Sequence, residues 1–216
     1  MISKITWFIL GLAFSCTLAI NALTFEPEKE IPAVTVPTEY FFSDSIGDHN
    51  NYLNIIKDIS LAPEGTVITI HLAGYGGNMD TTVHLVNAIE ESKATINVIV
   101  EGPVYSAHAF LAMTGKNIRV MDSSLLMFHR PAMKVNGEYT SDVRAICAGE
   151  KELSDRGQSA YTKCLDQQKA VTRLFERFAA KYVYPYLTQQ EIENYRNGHD
   201  VYIDGPEMQR RILRRV

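Results

Sequence analysis

The chain has 216 residues, of which 46% are apolar and 21% are charged, and its formal net charge is −4. This composition is typical of one folded domain with a substantial core, and it excludes disordered and collagen-like chains. The basic residues are scattered except at the C-terminus (Arg210, Arg211, Arg214 and Arg215), so we expect no nucleic-acid partner.

An uncharged, mostly apolar stretch runs from Ile5 to Phe25, with Lys4 before it and acidic side chains after it. The pattern is typical of a signal peptide or a membrane anchor, and a bilayer span takes about 20 residues, so the length allows both. We interpret residues 1–24 as one of the two, with cleavage favoured and with membrane association through residues 5–23 in the second case. Residues 25–37, with three prolines, read as a linker. Both interpretations predict an exported, periplasmic or other extracytoplasmic domain, either free or membrane-anchored.

Strands and helices then alternate along the chain. Amphipathic stretches predict helices at residues 47–61, 79–92 and 106–114. Apolar or β-branched runs predict strands at residues 66–73, 95–101, 118–122 and 124–128. This order predicts right-handed βαβ units around a mostly parallel sheet, which is an α/β fold in a single domain over residues 38–216.

A helical arm is expected after this alternation, over about residues 141–182. The segment is almost free of strand formers, and its apolar side chains recur at spacings of three and four (Val171, Leu174, Phe175 and Phe178). Thr188 and Glu191 then form a capping-box pattern that predicts a helix over residues 188–195. The strand-like residues 201–203 and a basic helical tail complete the domain.

Cys147 and Cys164 lie in the predicted arm, 17 residues apart. One unbroken helix would hold their α-carbons about 25 Å apart, whereas a disulfide needs less than about 7 Å. Pairing in an oxidising compartment therefore requires a bend, which Gly149 or Gly157 could supply. Two free buried thiols are equally compatible with the pattern.

Ser106 is the first residue with potential chemistry. It follows a predicted strand and begins a predicted helix, so its hydroxyl and the N–H of Ala107 lie at a helix N-terminus, where negative charge is favoured. Gly76 and Gly77 close the preceding strand and allow the backbone to approach a ligand. Taken alone, Ser106 is also explained as a helix N-cap, and the glycine pair as a tight turn.

Two further residues could complete a serine-hydrolase site. His129 ends an apolar strand, and Asp200 follows a turn at Gly198, from which a carboxylate could orient an imidazole. Asp122 and Asp142 are lower-ranked candidates for the acidic role. No P-loop, dinucleotide or metal-ligand spacing is present in the sequence, so we expect no cofactor and no metal.

These residues resemble the family of the Clp protease proteolytic subunit, ClpP, within the ClpP and crotonase superfamily. The resemblance is strongest over residues 66–131, in the turn GYGG, the run VYSAHAFLAMTG and the strand ending MFHRP. It implies a crotonase-like spiral of βαβ units with a protruding helical arm. It also implies Ser106 as nucleophile, His129 as general base, Asp200 as third triad member, and the N–H groups of Gly77 and Ala107 as the oxyanion hole.

The family resemblance further implies a serine endopeptidase that acts on peptide or protein substrates and assembles as a homo-oligomeric ring. The sequence departs from the family pattern at Tyr105 and His108, which replace small residues and a glycine, in a longer arm, and in the leading hydrophobic segment. That segment is foreign to the cytosolic members, so an ATPase partner is not inferred.

Three alternatives stay open at this point. One is a signal-peptide-peptidase relative with a lysine base, for which Lys116 and Lys134 are the nearby candidates. Another is an acyl-thioester hydratase or isomerase. The third is a non-catalytic assembly or adaptor protein, tethered or exported, on the same scaffold.

Overall fold

The computed structural model describes residues 38–151 and 157–215. The signal peptide or anchor predicted for residues 1–24 and the linker predicted for residues 25–37 lie outside these ranges. Within them, no helix is both long and apolar enough to cross a bilayer.

The strands in chain order are β1 (Glu39–Phe42), β2 (Val67–Gly74), β3 (Thr95–Tyr105), β4 (Asn117–Val120), β5 (Leu125–Phe128), β6 (Met133–Val135), β7 (Glu138–Thr140) and β8 (Val201–Asp204). The helices are α1 (Leu53–Leu61), α2 (Met79–Glu91), α3 (Ala107–Ala112), α4 (Val143–Lys151), α5 (Gly157–Phe178), α6 (Gln189–Arg196) and α7 (Gly205–Leu213). The predicted α/β architecture is confirmed. β1 and the β6–β7 hairpin were not predicted.

A mostly parallel sheet in the order β1-β2-β3-β5-β8 organises the domain. β3 is 11 residues long and pairs with two short strands, one after the other along its length. β4 pairs with Asn97–Val100 of β3, and β5 pairs with Pro103–Tyr105 of β3. β8 pairs with β5 and is antiparallel to it. The carboxyl ends of β2, β3 and β5 therefore lie at one edge of the sheet, where ligands bind in open α/β folds.

Side-chain caps start three of the helices in the described ranges, α2, α6 and α7. The Asn78 side chain accepts a hydrogen bond from the Thr81 N–H at 3.0 Å and starts α2. The predicted capping box of α6 is confirmed, because Thr188 and Glu191 each bond the backbone N–H of the other. Such a cap contributes about 1 kcal/mol to helix stability.

The core lies beneath α3, whose six residues are all buried. Phe110 of this helix meets the rings of Phe128 and Phe175 edge to face, with centroids 6.4 Å and 6.1 Å apart. Burial of each such ring stabilises the domain by roughly 1.5–3 kcal/mol. The packing joins β5 and α5 to the short helix that follows Ser106, so the chain around that serine has a rigid support.

The helical arm is a pair of helices, and the question of the two cysteines is answered. Cys147 in α4 and Cys164 in α5 form a disulfide, with their α-carbons 5.8 Å apart. Since one continuous helix would hold them about 25 Å apart, the close approach is possible only because α4 and α5 are separate helices. Cys147 is fully buried in this contact.

Candidate active site

Ser106 occupies the junction between β3 and α3 in an unusual backbone conformation. Its φ is 56° and its ψ is −121°, a region that costs a non-glycine residue on the order of 1–3 kcal/mol. The Ser106 N–H donates to the Met127 carbonyl at 2.8 Å, and the Phe110 N–H donates to the Ser106 carbonyl at 3.0 Å, which holds the residue there. The Ser106 side chain makes no capping hydrogen bond. The N-cap explanation therefore fails, and the hydroxyl is available for another role.

The Gly76–Gly77 turn passes directly beside this serine. A Cβ atom on Gly76 would lie 2.7 Å from Cβ of Ser106, closer than real side chains approach. On the other side, a Cβ atom on Gly77 would lie 2.2 Å from the Ile46 carbonyl oxygen. The two glycines are thus required by close approach on both sides of the turn.

Ile46 fixes the direction of the amide groups in this turn. The Ile46 N–H donates to the Gly76 carbonyl at 2.8 Å, and the Asn78 N–H donates to the Ile46 carbonyl at 2.7 Å. Backbone groups of an extended segment point alternately to opposite sides, so the Gly77 N–H points away from Ile46. Within residues 38–151 and 157–215 this N–H has no hydrogen-bond acceptor. The Ala107 N–H, at the start of α3, likewise has no acceptor in those ranges.

His129 and Asp200 are brought together by strand pairing. In the antiparallel ladder of β5 and β8, Phe128 lies opposite Val201. His129 follows Phe128 and Asp200 precedes Val201, so the next positions beyond this pair belong to the histidine and the aspartate. The pairing places two residues that are 71 positions apart in the chain at the same edge of the sheet.

Four of the five predicted site residues line one cavity of about 840 Å³: Gly77, Ser106, His129 and Asp200. The fifth, Ala107, is fully buried directly after Ser106. The lower-ranked Asp122 and Asp142 are not part of the cavity lining, and neither are Lys116 and Lys134.

The cavity favours a neutral imidazole at His129. Burial is the largest influence and lowers the pKa of His129, whereas the nearby negative charge of Asp200 and the backbone of Arg130 raise it. A neutral ring is the form that can accept a proton. In the described part of the chain no hydrogen bond joins Ser106 to His129 or His129 to Asp200. Asp200 instead accepts a hydrogen bond from the Tyr202 hydroxyl at 3.3 Å.

A comparison with models of protein families identifies the family of the chain. The model of the Clp protease family, described as "Clp protease", matches residues 41–177, which is more than half of the chain. The chain belongs to the Clp protease family. No curated protein matches the sequence at a significant level. The matched region includes Gly77, Ser106, Ala107 and His129, whereas Asp200 lies beyond it. The choice of Asp200 as a candidate site residue therefore depends on the strand pairing and not on the family match.

Part of the cavity lining in this Clp protease domain comes from a hairpin that was not predicted from the sequence. Tyr139, Thr140 and Ser141, at the end of the β6–β7 hairpin and just after it, also line the cavity. The signal was present, because Asn136-Gly137 between two short strands is a strong hairpin pattern, and both residues have positive φ. Arg130 and Ser45 also line the cavity; Arg130 belongs to the MFHRP run but was assigned no role, and no motif marked Ser45.

Metal chemistry has no candidate site in the parts of this Clp protease domain that the structure describes. No group of three or more His, Cys, Asp or Glu side chains lies close enough together there to hold an ion.

Proposed function

We propose that this member of the Clp protease family is a serine endopeptidase that hydrolyses peptide bonds with Ser106, His129 and Asp200. The N–H groups of Gly77 and Ala107 would form its oxyanion hole. The observation that carries the proposal is the shared cavity of Gly77, Ser106, His129 and Asp200, at which the strained serine has an uncommitted hydroxyl.

The reaction follows from these groups. The Ser106 oxygen attacks the substrate carbonyl carbon while a neutral His129 takes the hydroxyl proton, and the negative charge moves to the carbonyl oxygen. The Gly77 and Ala107 N–H groups, which have no acceptor in the described ranges, are suited to that oxygen. His129 then gives the proton to the leaving amine, and a water molecule repeats the sequence on the acyl-enzyme, releasing the second product.

The proposal includes a closing step. Because Ser106, His129 and Asp200 are not hydrogen-bonded to one another in this state, substrate binding or assembly must draw them together. Catalytic hydrogen bonds are often long before substrate binds and tighten in the complex. Asp200 accepts the Tyr202 hydroxyl at 3.3 Å through Oδ2 in this state, and the closing step would bring the carboxylate to the imidazole.

The test is labelling by a fluorophosphonate probe together with hydrolysis of an unstructured protein. Wild type should be labelled and active, and Ser106→Ala should be neither. Ser45→Ala is the matched control, because Ser45 is an exposed serine of the same cavity, and this variant should keep full labelling. Labelling that persists in Ser106→Ala, or that disappears in Ser45→Ala alone, would overturn the assignment of the nucleophile.

A non-catalytic assembly or adaptor protein is the second candidate function. The observation that favours it is the missing hydrogen bond between Ser106 and His129. An adaptor predicts that the wild type is neither labelled nor active under any condition, with the domain still folded. A lysine-dependent peptidase is disfavoured, since no lysine of residues 38–151 or 157–215 lines the cavity.

We also propose that the domain is exported and acts as a homo-oligomer on peptide or protein substrates. The hydrophobic segment from Ile5 to Phe25 and the Cys147–Cys164 disulfide support export, because disulfides persist in oxidising compartments. Fractionation of cells, with N-terminal sequencing of the mature chain, tests the location and shows whether residues 1–24 are removed. Light scattering of the purified protein tests the assembly.

A further inference from the structure

His108 is a fully buried histidine that the proposed reaction does not use. It lies on α3, two residues after Ser106, and its Nδ1 atom is 3.1 Å from both the backbone nitrogen and the carbonyl oxygen of Gly76. Its ring therefore touches the turn that carries the Gly77 N–H. An imidazole can serve this turn either as an acceptor or as a donor, depending on which ring nitrogen holds the proton.

Hydrogen-bond accounting selects the acceptor role. The Gly76 carbonyl already receives the Ile46 N–H at 2.8 Å. In the described ranges, the Gly76 N–H has no acceptor other than Nδ1 of His108. A buried N–H without a partner costs about 1–3 kcal/mol. Nε2 of His108 makes no hydrogen bond within the described ranges. A proton on Nδ1 would therefore leave two groups unpaired, the Gly76 N–H and Nε2, whereas a proton on Nε2 leaves Nε2 alone unpaired, so the count favours Nδ1 as the acceptor. Burial also lowers the pKa of His108, which keeps the ring neutral and able to accept.

The neighbouring strand leaves room for this ring. Gly74 is the last residue of β2, and a Cβ atom there would lie 2.6 Å from Nε2 of His108. Any larger residue at position 74 would push the imidazole out of its place. Gly74 and His108 therefore form a matched pair under the turn.

Both peptide groups that flank Gly76 are fixed as a result. The group before Gly76 is held through its N–H by His108, and the group after it is held through its carbonyl by Ile46. The second group is the one that contains the Gly77 N–H. Loss of either hydrogen bond would free rotation about Gly76, a residue with few backbone constraints of its own.

We propose that His108 is a positioning residue for the oxyanion hole: its neutral ring accepts the Gly76 N–H and thereby fixes the Gly77 N–H toward the Ser106 site. This inference rests on the proposed function and deepens it. His108 touches no substrate and transfers no proton.

The decisive comparison is between His108→Leu and His108→Asn. Leucine fills similar space without an acceptor, whereas the asparagine side-chain oxygen can occupy nearly the position of Nδ1. We expect His108→Leu to lower kcat by about 100-fold to 1,000-fold, the loss typical of one missing oxyanion donor, with little change in KM. The inhibition constant of a peptide aldehyde, whose adduct places an oxygen in the hole, should rise in parallel. His108→Asn should recover most of the kcat and most of the affinity for the aldehyde.

Several results would overturn the inference. One is a folded His108→Leu variant with wild-type kcat. Another is an equal loss in His108→Leu and His108→Asn that tracks their unfolding midpoints, since this indicates a merely structural role. The ¹⁵N chemical shifts of His108 in the wild type add a measurement that needs no variant: a proton on Nδ1 contradicts the acceptor role, and a proton on Nε2 supports it.

The outcomes also separate this inference from the proposed function. A wild type that neither hydrolyses peptides nor reacts with fluorophosphonate removes the proposed function and the inference together. An active wild type with an equally active His108→Leu variant removes the inference alone.

Discussion

Reduction of the Cys147–Cys164 disulfide should destabilise the domain, although neither cysteine belongs to the proposed active site. The two cysteines close a loop with a sequence separation of 17. Restricting an unfolded loop of that size lowers its entropy enough to stabilise the folded state by about 3 kcal/mol. This is a sizeable part of the roughly 5–15 kcal/mol by which domains are stable.

The loss of stability on reduction should affect the whole domain and not the helical arm alone. α5 also carries Phe175, which packs against Phe110 in the core under Ser106. A disordered arm would therefore weaken the support of α3. With a urea dependence of about 1–3 kcal/mol per molar, the expected 3 kcal/mol corresponds to a fall in the unfolding midpoint of at least about 1 M.

The assay is urea unfolding of the wild type with and without reductant, followed by fluorescence and by peptidase activity. Maleimide labelling of the denatured chain should gain two thiols on reduction, whatever the state of Cys16. The Cys147→Ala/Cys164→Ala variant is the control, and its midpoint should not respond to reductant. A gain of two thiols with no change in midpoint would refute the loop-entropy argument, and no gain of thiols would refute the disulfide itself.

Three further predictions concern the active site. Gly76→Ala should lower kcat/KM by at least about 100-fold, because the new Cβ atom would lie 2.7 Å from Cβ of Ser106. Gly65→Ala is the control: Gly65 has a similar positive φ but lies in open space, so this variant should lose about 1–2 kcal/mol of stability and no activity. Equal activity of the two variants would contradict this prediction. The acid limb of kcat/KM should lie below pH 6.5, because burial lowers the pKa of His129 and the neutral form is the base. Asp200→Asn should lower the pH-independent maximum of kcat/KM by at least about 100-fold. It should also move the acid limb to still lower pH, since the substitution removes a negative charge that raises the pKa of His129. An acid limb that moves to higher pH would contradict the assignment of Asp200 as the partner of His129.

Local patterns in the sequence predicted most of the regular elements. The predicted strand at residues 66–73 and helix at residues 79–92 correspond to Val67–Gly74 and Met79–Glu91. Their signals are strong, because apolar runs and helical spacing extend over many residues. β1 was missed because Tyr40, Phe41 and Phe42 are all aromatic although Phe41 is exposed, so the sequence shows no alternation of apolar and polar residues.

Contacts between distant segments were less accessible to sequence reasoning. Helical spacing predicted the arm over residues 141–182 but does not show where a chain turns back, so the pairing of Cys147 with Cys164 stayed open until the structure placed α4 beside α5. The contact on which the proposed role of His108 depends was hidden for a similar reason. Its partner Gly76 is 32 positions away, and only the packing of α3 under β2 brings the two together.

The position of Asp200 depends on the register between β5 and β8. The sequence determines this register, but the register can be read from the sequence only when the pairing of the two strands is known. In β8, Val201 and Ile203 are buried, whereas Tyr202 between them is 55% exposed. A shift of one residue against β5 would bury the tyrosine and expose both aliphatic side chains, so burial of apolar surface fixes Val201 opposite Phe128. That same pairing places Asp200 next to His129. The hydrophobic alternation of a four-residue strand thus sets the distance between the proposed base and its carboxylate, and it does so only once β5 is known to be the partner of β8.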